Sequence, residues 1–179
     1  MSQLLSHRPV SRWSALLVAA VFMLLLTDTG AIAADLTALF QEARTTATQL
    51  NRDAETMESF TRSNLNWQSH SAQITQIKDH INKAGSILSQ MQAARGEAKP
   101  WHQDAIDGIT PALKELASNT ESIINHLNEN PRRLKDPTYM QYLKSNAQSA
   151  RELAAAVGNV VDYDRTRTRM EELEATSGR

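Results

Sequence analysis

Between Trp67 and Met91 the apolar or aromatic positions fall at Trp67, His70, Ile74, Ile77, Ile81, Ala84, Leu88 and Met91. The steps alternate three and four, the ~3.5-residue repeat of a helix pressed against other helices along one seam. The residues between them, such as Gln68, Gln73, Lys78, Asp79 and Lys83, are polar, so the segment cannot bury itself alone. Three further segments carry the same repeat. The first presents Leu36, Phe40, Ala43, Ala47, Leu50, Ala54 and Met57. The third presents His102, Ile106, Ile109, Leu113, Leu116, Thr120, Ile123 and Leu127. The last presents Met140 (or Tyr139), Leu143, Ala147, Ala150, Ala154, Val157 and Val161.

Local signals divide these stripes into helices at about 35–63, 66–95, 100–129 and 137–174. Asp35 is a candidate cap, and its carboxylate meets the positive end of the helix dipole. Phe60 and Leu65 fall out of phase with the first stripe. Ser63-Asn64-Leu65-Asn66 offers side chains that bond their own backbone, so a turn is expected there rather than one helix from 35 to 95. Gly96 suits the residue just past a helix end, Pro100 a first helical position, and Asp136-Pro137 a cap followed by proline. Pro111 lies inside the third stripe, whose phase continues from Ile106 to Leu116, so a bent helix is expected rather than two. Similar lengths and short connections predict an all-α, antiparallel, up-down-up-down four-helix bundle with coiled-coil-like heptad packing.

Upstream of the stripes, residues 1–33 read as a secretory signal peptide. Arg8 and Arg12 precede the unbroken apolar run 15–26, and the small-x-small triplet Ala31-Ile32-Ala33 follows. That run is short of the roughly 20 residues needed to span a bilayer core. The expectation is therefore an exported, periplasmic protein beginning near Ala34. The alternative is a membrane-tethered sensory or structural domain on an uncleaved leader.

Composition narrows the chemistry. Apolar residues make up 41% and charged residues 22% of the 179, ordinary values for a folded domain. The 19 basic residues against 20 acidic give a net charge of -1, which provides no field for nucleic acid or an anionic membrane. Cysteine is absent, which excludes disulfides, thiolate ligands, a Cys nucleophile and covalently attached haem. The sequence holds no glycine-rich phosphate loop, nucleophile elbow or H-E-x-x-H. It also lacks the Glu-x-x-His pairs of di-iron bundles. The expected class is non-enzymatic, and no cofactor is expected.

What remains are weak candidates. Folding the second segment back on the third places His70 level with Leu127, beside His126 and near Phe60, Trp67, Tyr139 and Tyr142. Two imidazoles could ligate a metal or haem, with Met57, Met91 or Met140 as further axial candidates, but two ligands alone make a poor site. Trp67 and Trp101 open the second and third helices, either as anchors of a binding surface or as rings plugging the bundle ends. Arg132, Arg133 and Lys135 form a basic connection that could grip an acidic partner. The run 162–174 reads as a solvated, salt-bridged face rather than a docking helix. His70 and Thr120 interrupt otherwise apolar seams and could fix register. If that is the only role of His70, His70→Leu raises the melting temperature.

These readings favour an interaction or small-ligand-binding module of the bacterial cell envelope, with Trp67, His70, Trp101, His126, Arg132 and Arg133 as its candidate contact residues. A haem- or metal-binding redox or metal carrier using His70 and His126 is the alternative. A homo-oligomer is compatible with both.

Overall fold

A computed structural model describes residues Thr29–Gly178, and the apolar core of the expected leader lies outside that range. Four helices follow in order: α1 (Thr29–Ser59), α2 (Trp67–Ala94), α3 (Pro100–Glu129) and α4 (Pro137–Ser177). There is no strand among the described residues. Each helix packs chiefly on two neighbours, α1 and α3 each lying against α2 and α4. No described helix is long and apolar enough to cross a membrane.

Helix α1 starts earlier than the Asp35 cap suggested, because Thr29–Ala34 continue the helix upstream. Asp35 therefore sits inside the helix, with its N–H committed to the backbone ladder. The chain leaves α1 through a 3-10 turn, Phe60–Arg62, whose end is closed by the Ser63 N–H on the Phe60 carbonyl at 3.1 Å. Asn66 then caps α2, its side chain accepting from the Ser69 N–H at 3.0 Å. At the far end of α2 a second 3-10 turn, Arg95–Glu97, absorbs Gly96. Gly96 lies where the sequence placed it, just past the cap residue Arg95, but it does so without left-handed backbone.

Helix α3 is continuous through Pro111. Proline removes the bond its N–H would make to the Asp107 carbonyl, but Pro111 and Asp107 both sit on the exposed face, where water replaces the lost donor. All eight seam positions of α3, from His102 to Leu127, are buried. In α2 the buried set is His70, Ile74, Ile77, Ile87, Leu88 and Met91, with Trp67, Ile81 and Ala84 half-buried beside it. In α4 Tyr139 rather than Met140 points inward, and Leu153 takes the place expected for Ala154.

Leu50, Ile77, Ile106 and Leu116 have no solvent exposure. Cutting any of them back to alanine removes buried surface and leaves a cavity, at about 2–5 kcal/mol each. A void between Ala47, Ile87, Met91, Ile109, Leu113 and Val157 measures ≈ 20 Å³. Such a void has room for about one water and no polar group to hold it. Between α3 and α4 the core admits a polar pair. The Thr120 hydroxyl donates to Asn146 Oδ1 at 2.9 Å, both residues being buried.

Candidate functional site

Two aromatic clusters with histidines close the two ends of the bundle, and together they contain four of the six candidate residues. At one end Tyr139 of α4 is the hub. Pro137 and Asp136 start α4, with the Asp136 carboxylate accepting the Thr138 N–H at 2.9 Å, and this fixes the turn that aims Tyr139 inward. Its hydroxyl is hydrogen-bonded to His70 Nδ1 at 2.8 Å. The His126 ring stacks on it with centroids 4.8 Å apart, and Phe60 meets the edge of His70 at 5.0 Å. Trp67 lies half-buried beside them and donates its indole N–H to the Leu127 carbonyl at 3.2 Å, satisfying a carbonyl near the C-terminus of α3.

The electrostatics follow from burial. Tyr139 is fully enclosed, which pushes its phenol well above the ordinary range and keeps it protonated. His70 is 2% exposed, so burial, with Lys135 nearby, depresses its pKa and holds it neutral. The pair is therefore a neutral phenol against a neutral imidazole.

Structure thus brings His70 and His126 together on one tyrosine ring. A metal bound by both would find His70 Nδ1 already engaged, leaving only Nε2. Among the described residues no group of three or more His, Asp or Glu converges as a metal site. His80, which the sequence did not single out, pairs with Asp53 at 2.8 Å on the α1–α2 face.

At the other end Trp101 and His102 open α3 and pack against Phe40 of α1. The His102 and Phe40 centroids are 5.3 Å apart, and Tyr163 meets Trp101 edge-on at the same separation. Here both ring nitrogens of His102 and the Trp101 indole N–H are buried without a hydrogen-bond partner among the described residues. Burial depresses the pKa of His102, partly offset by Asp164.

The basic connection is the part of the candidate set that faces solvent. Lys135 is exposed as well, but its ammonium is engaged: it donates to the Thr61 carbonyl at 3.1 Å and to the Ser63 carbonyl, lashing the α3–α4 connection to the α1–α2 connection. Arg132 and Arg133 stay exposed on a surface groove of ≈ 450 Å³ floored by Leu65, Leu134 and Asn64. Leu65 is 39% exposed, a large apolar side chain left open beside two guanidinium groups. The sequence offered the arginines but not Leu65, whose exposure depends on how the two connections are tied together.

No family model, no curated protein and no solved structure matches this chain.

Proposed function

We propose that this chain is an exported interaction module of the bacterial cell envelope, without catalytic activity, that binds a partner at the end of the bundle carrying Arg132 and Arg133. The leader is removed after Ala33, and the mature protein resides in the periplasm. Its helices run up-down-up-down, with neighbours antiparallel and packed on heptad seams. Supporting that order, Trp67 at the start of α2 touches Leu127 near the end of α3, while Arg95 just past α2 pairs with Asp107 near the start of α3. Thr37 in α1 likewise meets Asp164 far along α4.

The observation that carries the binding proposal is the groove between the two connections. It places two exposed arginines around Leu65 and Leu134, with Asn64 and Asp136 on the same lining, and the Lys135 tether helps to fix its walls. Guanidinium groups favour planar carboxylates, so the chemistry fits a short acidic segment with one apolar side chain on an envelope protein. Trp67, His70 and His126 then act as the rigid scaffold behind that surface, and Trp101 plugs the opposite end, none of them as contacts.

The test is isolation of the native protein from the envelope fraction beside an Arg132→Glu/Arg133→Glu variant. The expected result is an N-terminus at or near Ala34, a colourless protein without stoichiometric metal, and a cross-linked partner lost in the variant at unchanged helicity. An N-terminus at Met1 in the membrane fraction would favour the tethered alternative. Bound haem or metal lost in His70→Ala would favour the carrier.

A further inference from the structure

Four histidines lie among the described residues, and three of them have an acid at hand. His80 pairs with Asp53 at 2.8 Å, Asp164 acts on His102, and His126 acts on the Asp136 carboxylate. The charge that acts on His70 is a cation, the Lys135 ammonium. Its other neighbours are uncharged: the Tyr139 hydroxyl of α4 on Nδ1, the Phe60 ring from the end of α1, and the His126 imidazole of α3 across the Tyr139 ring. The connections at this end are basic as well. Segments 60–66 and 130–136 carry Arg62, Arg132, Arg133 and Lys135 against Asp136, whose carboxylate caps α4 on the Thr138 N–H.

With this end shut, His70 has no place for a second proton. Protonation would put N–H groups on both ring nitrogens and turn the phenol on Nδ1 into an acceptor. It would also set a buried cation among four basic side chains. Water can reach the ring inward or outward. Inward lie Ile74, Ile77 and the rest of the seam, all buried. Outward, none of Phe60, Thr61 and Arg62 is buried, and Asn64, Leu65 and Asn66 are exposed. The Lys135 ammonium on the Thr61 and Ser63 carbonyls ties the two connections together. Segments with few buried contacts and solvated hydrogen bonds open first.

We propose that His70 is a proton-operated latch beneath the groove: when it takes up a proton the two connections lift together, the Lys135 tie parts, and the surface holding Arg132 and Arg133 comes apart. As a control on binding, the latch rests on the reading of that groove as the partner site; as a motion it does not. Burial and Lys135 hold the pKa of the enclosed His70 below 6.5, and opening returns it to that ordinary value. Closure is therefore fully favoured above pH 6.5. Below that pH it loses ground by up to about tenfold per pH unit, until the enclosed ring itself titrates.

The test is amide hydrogen exchange on the protein with its native N-terminus and no partner present, at pH 7.5 and 5.5. Rates are corrected for the intrinsic pH dependence of exchange. The Ser63, Arg133 and Asp136 N–H groups are bonded within the connections, and their protection should fall together about three- to tenfold at pH 5.5. They should exchange far faster than Leu116 in the middle of α3, and at a rate that low urea leaves unchanged, so the helices stay folded as the end opens. His70→Asn, which keeps a polar group near the phenol but takes up no proton, should abolish the fall; His126→Gln should leave it. Wild-type protection that does not fall overturns the proposal. So do connections that respond separately, amides as protected as Leu116, a fall that persists in His70→Asn, and one lost in His126→Gln. Should His70→Asn fail to fold, magnetic resonance titration of the wild-type His70 ring decides. The fall must end where the ring titrates, and a ring titrating at or above pH 6.5 overturns the latch. A groove that binds nothing leaves this result standing, and a failed latch leaves the groove standing.

Discussion

The two ends of the bundle use nearly the same materials, each packing a Trp, a buried His and further aromatic rings, yet they differ in how polar atoms are settled. Around Tyr139 the His70 nitrogen faces the phenol and the Trp67 indole reaches a carbonyl, while His126 Nε2 is buried without a partner among the described residues. Around Phe40 the His102 nitrogens and the Trp101 indole reach nothing. A buried unpaired donor or acceptor forfeits about 1–3 kcal/mol of hydration that a hydrogen bond would have returned. The same residue types are therefore mostly paired at one end and unpaired at the other. What decides the outcome is whether a neighbouring helix presents a complementary atom.

The sharpest way to break this contrast is to remove the hub. Tyr139→Ala deletes a ring with no exposure and releases both histidines, and should lower unfolding stability by about 3–5 kcal/mol in urea titration. His70→Leu comes next. The seam pattern alone had suggested a gain in melting temperature, but the hydrogen bond to Tyr139 reverses the sign. Leucine would strand a buried hydroxyl, and the expected loss is about 1–3 kcal/mol. A rise in melting temperature for this variant would show that the phenol finds another acceptor. At the opposite end His102→Leu removes two orphaned nitrogens, so stability should hold or rise by up to about 1 kcal/mol. Equal losses from His70→Leu and His102→Leu would erase the difference between the ends.

Acid sharpens the comparison further. Both histidines have folded-state pKa values below the unfolded value of 6.5, so each favours folding fully above that pH. As pH falls below 6.5 the unfolded chain takes up protons that the folded one resists, and stability declines until the folded pKa values are passed. The denaturation midpoint should therefore drop between pH 7.5 and 5. The drop should be smaller in His102→Leu, and a slope untouched by that change would remove His102 from the account. The smallest effect is expected from Trp101→Phe, which discards an unpartnered N–H but keeps a ring against Phe40; its stability should shift by no more than about 0.5 kcal/mol.

The four helices were legible because their seams repeat. All eight α3 seam positions read from spacing are buried, and so are Leu36, Phe40, Leu50 and Met57 of α1. Positions just beside a seam were not legible. Leu39, Thr46, Ile87 and Leu153 are buried because a four-helix core takes a broader stripe from each helix than a two-stranded seam does. The convergence of His70, His126 and Tyr139 could be foreseen by folding one segment on the next. The sequence gives no sign that His70 is paired while His102 is orphaned, since that depends on which side chain of a third helix stands within 3 Å. The groove beside Arg132 was hidden for a similar reason. Its floor is built from two connections that the Lys135 ammonium ties into one surface.

The buried Thr120–Asn146 pair acts on the whole chain like a notch in a sliding bolt. Sliding α4 along α3 by one heptad would leave apolar contacts nearly as good but would separate these two groups in an oily interior. Alignment of the two helices is thus indexed from within, and the linker 130–136 does not have to measure it out. Glycine-serine insertions in that linker should leave the helices in step while disrupting the groove beside Arg132 and Arg133.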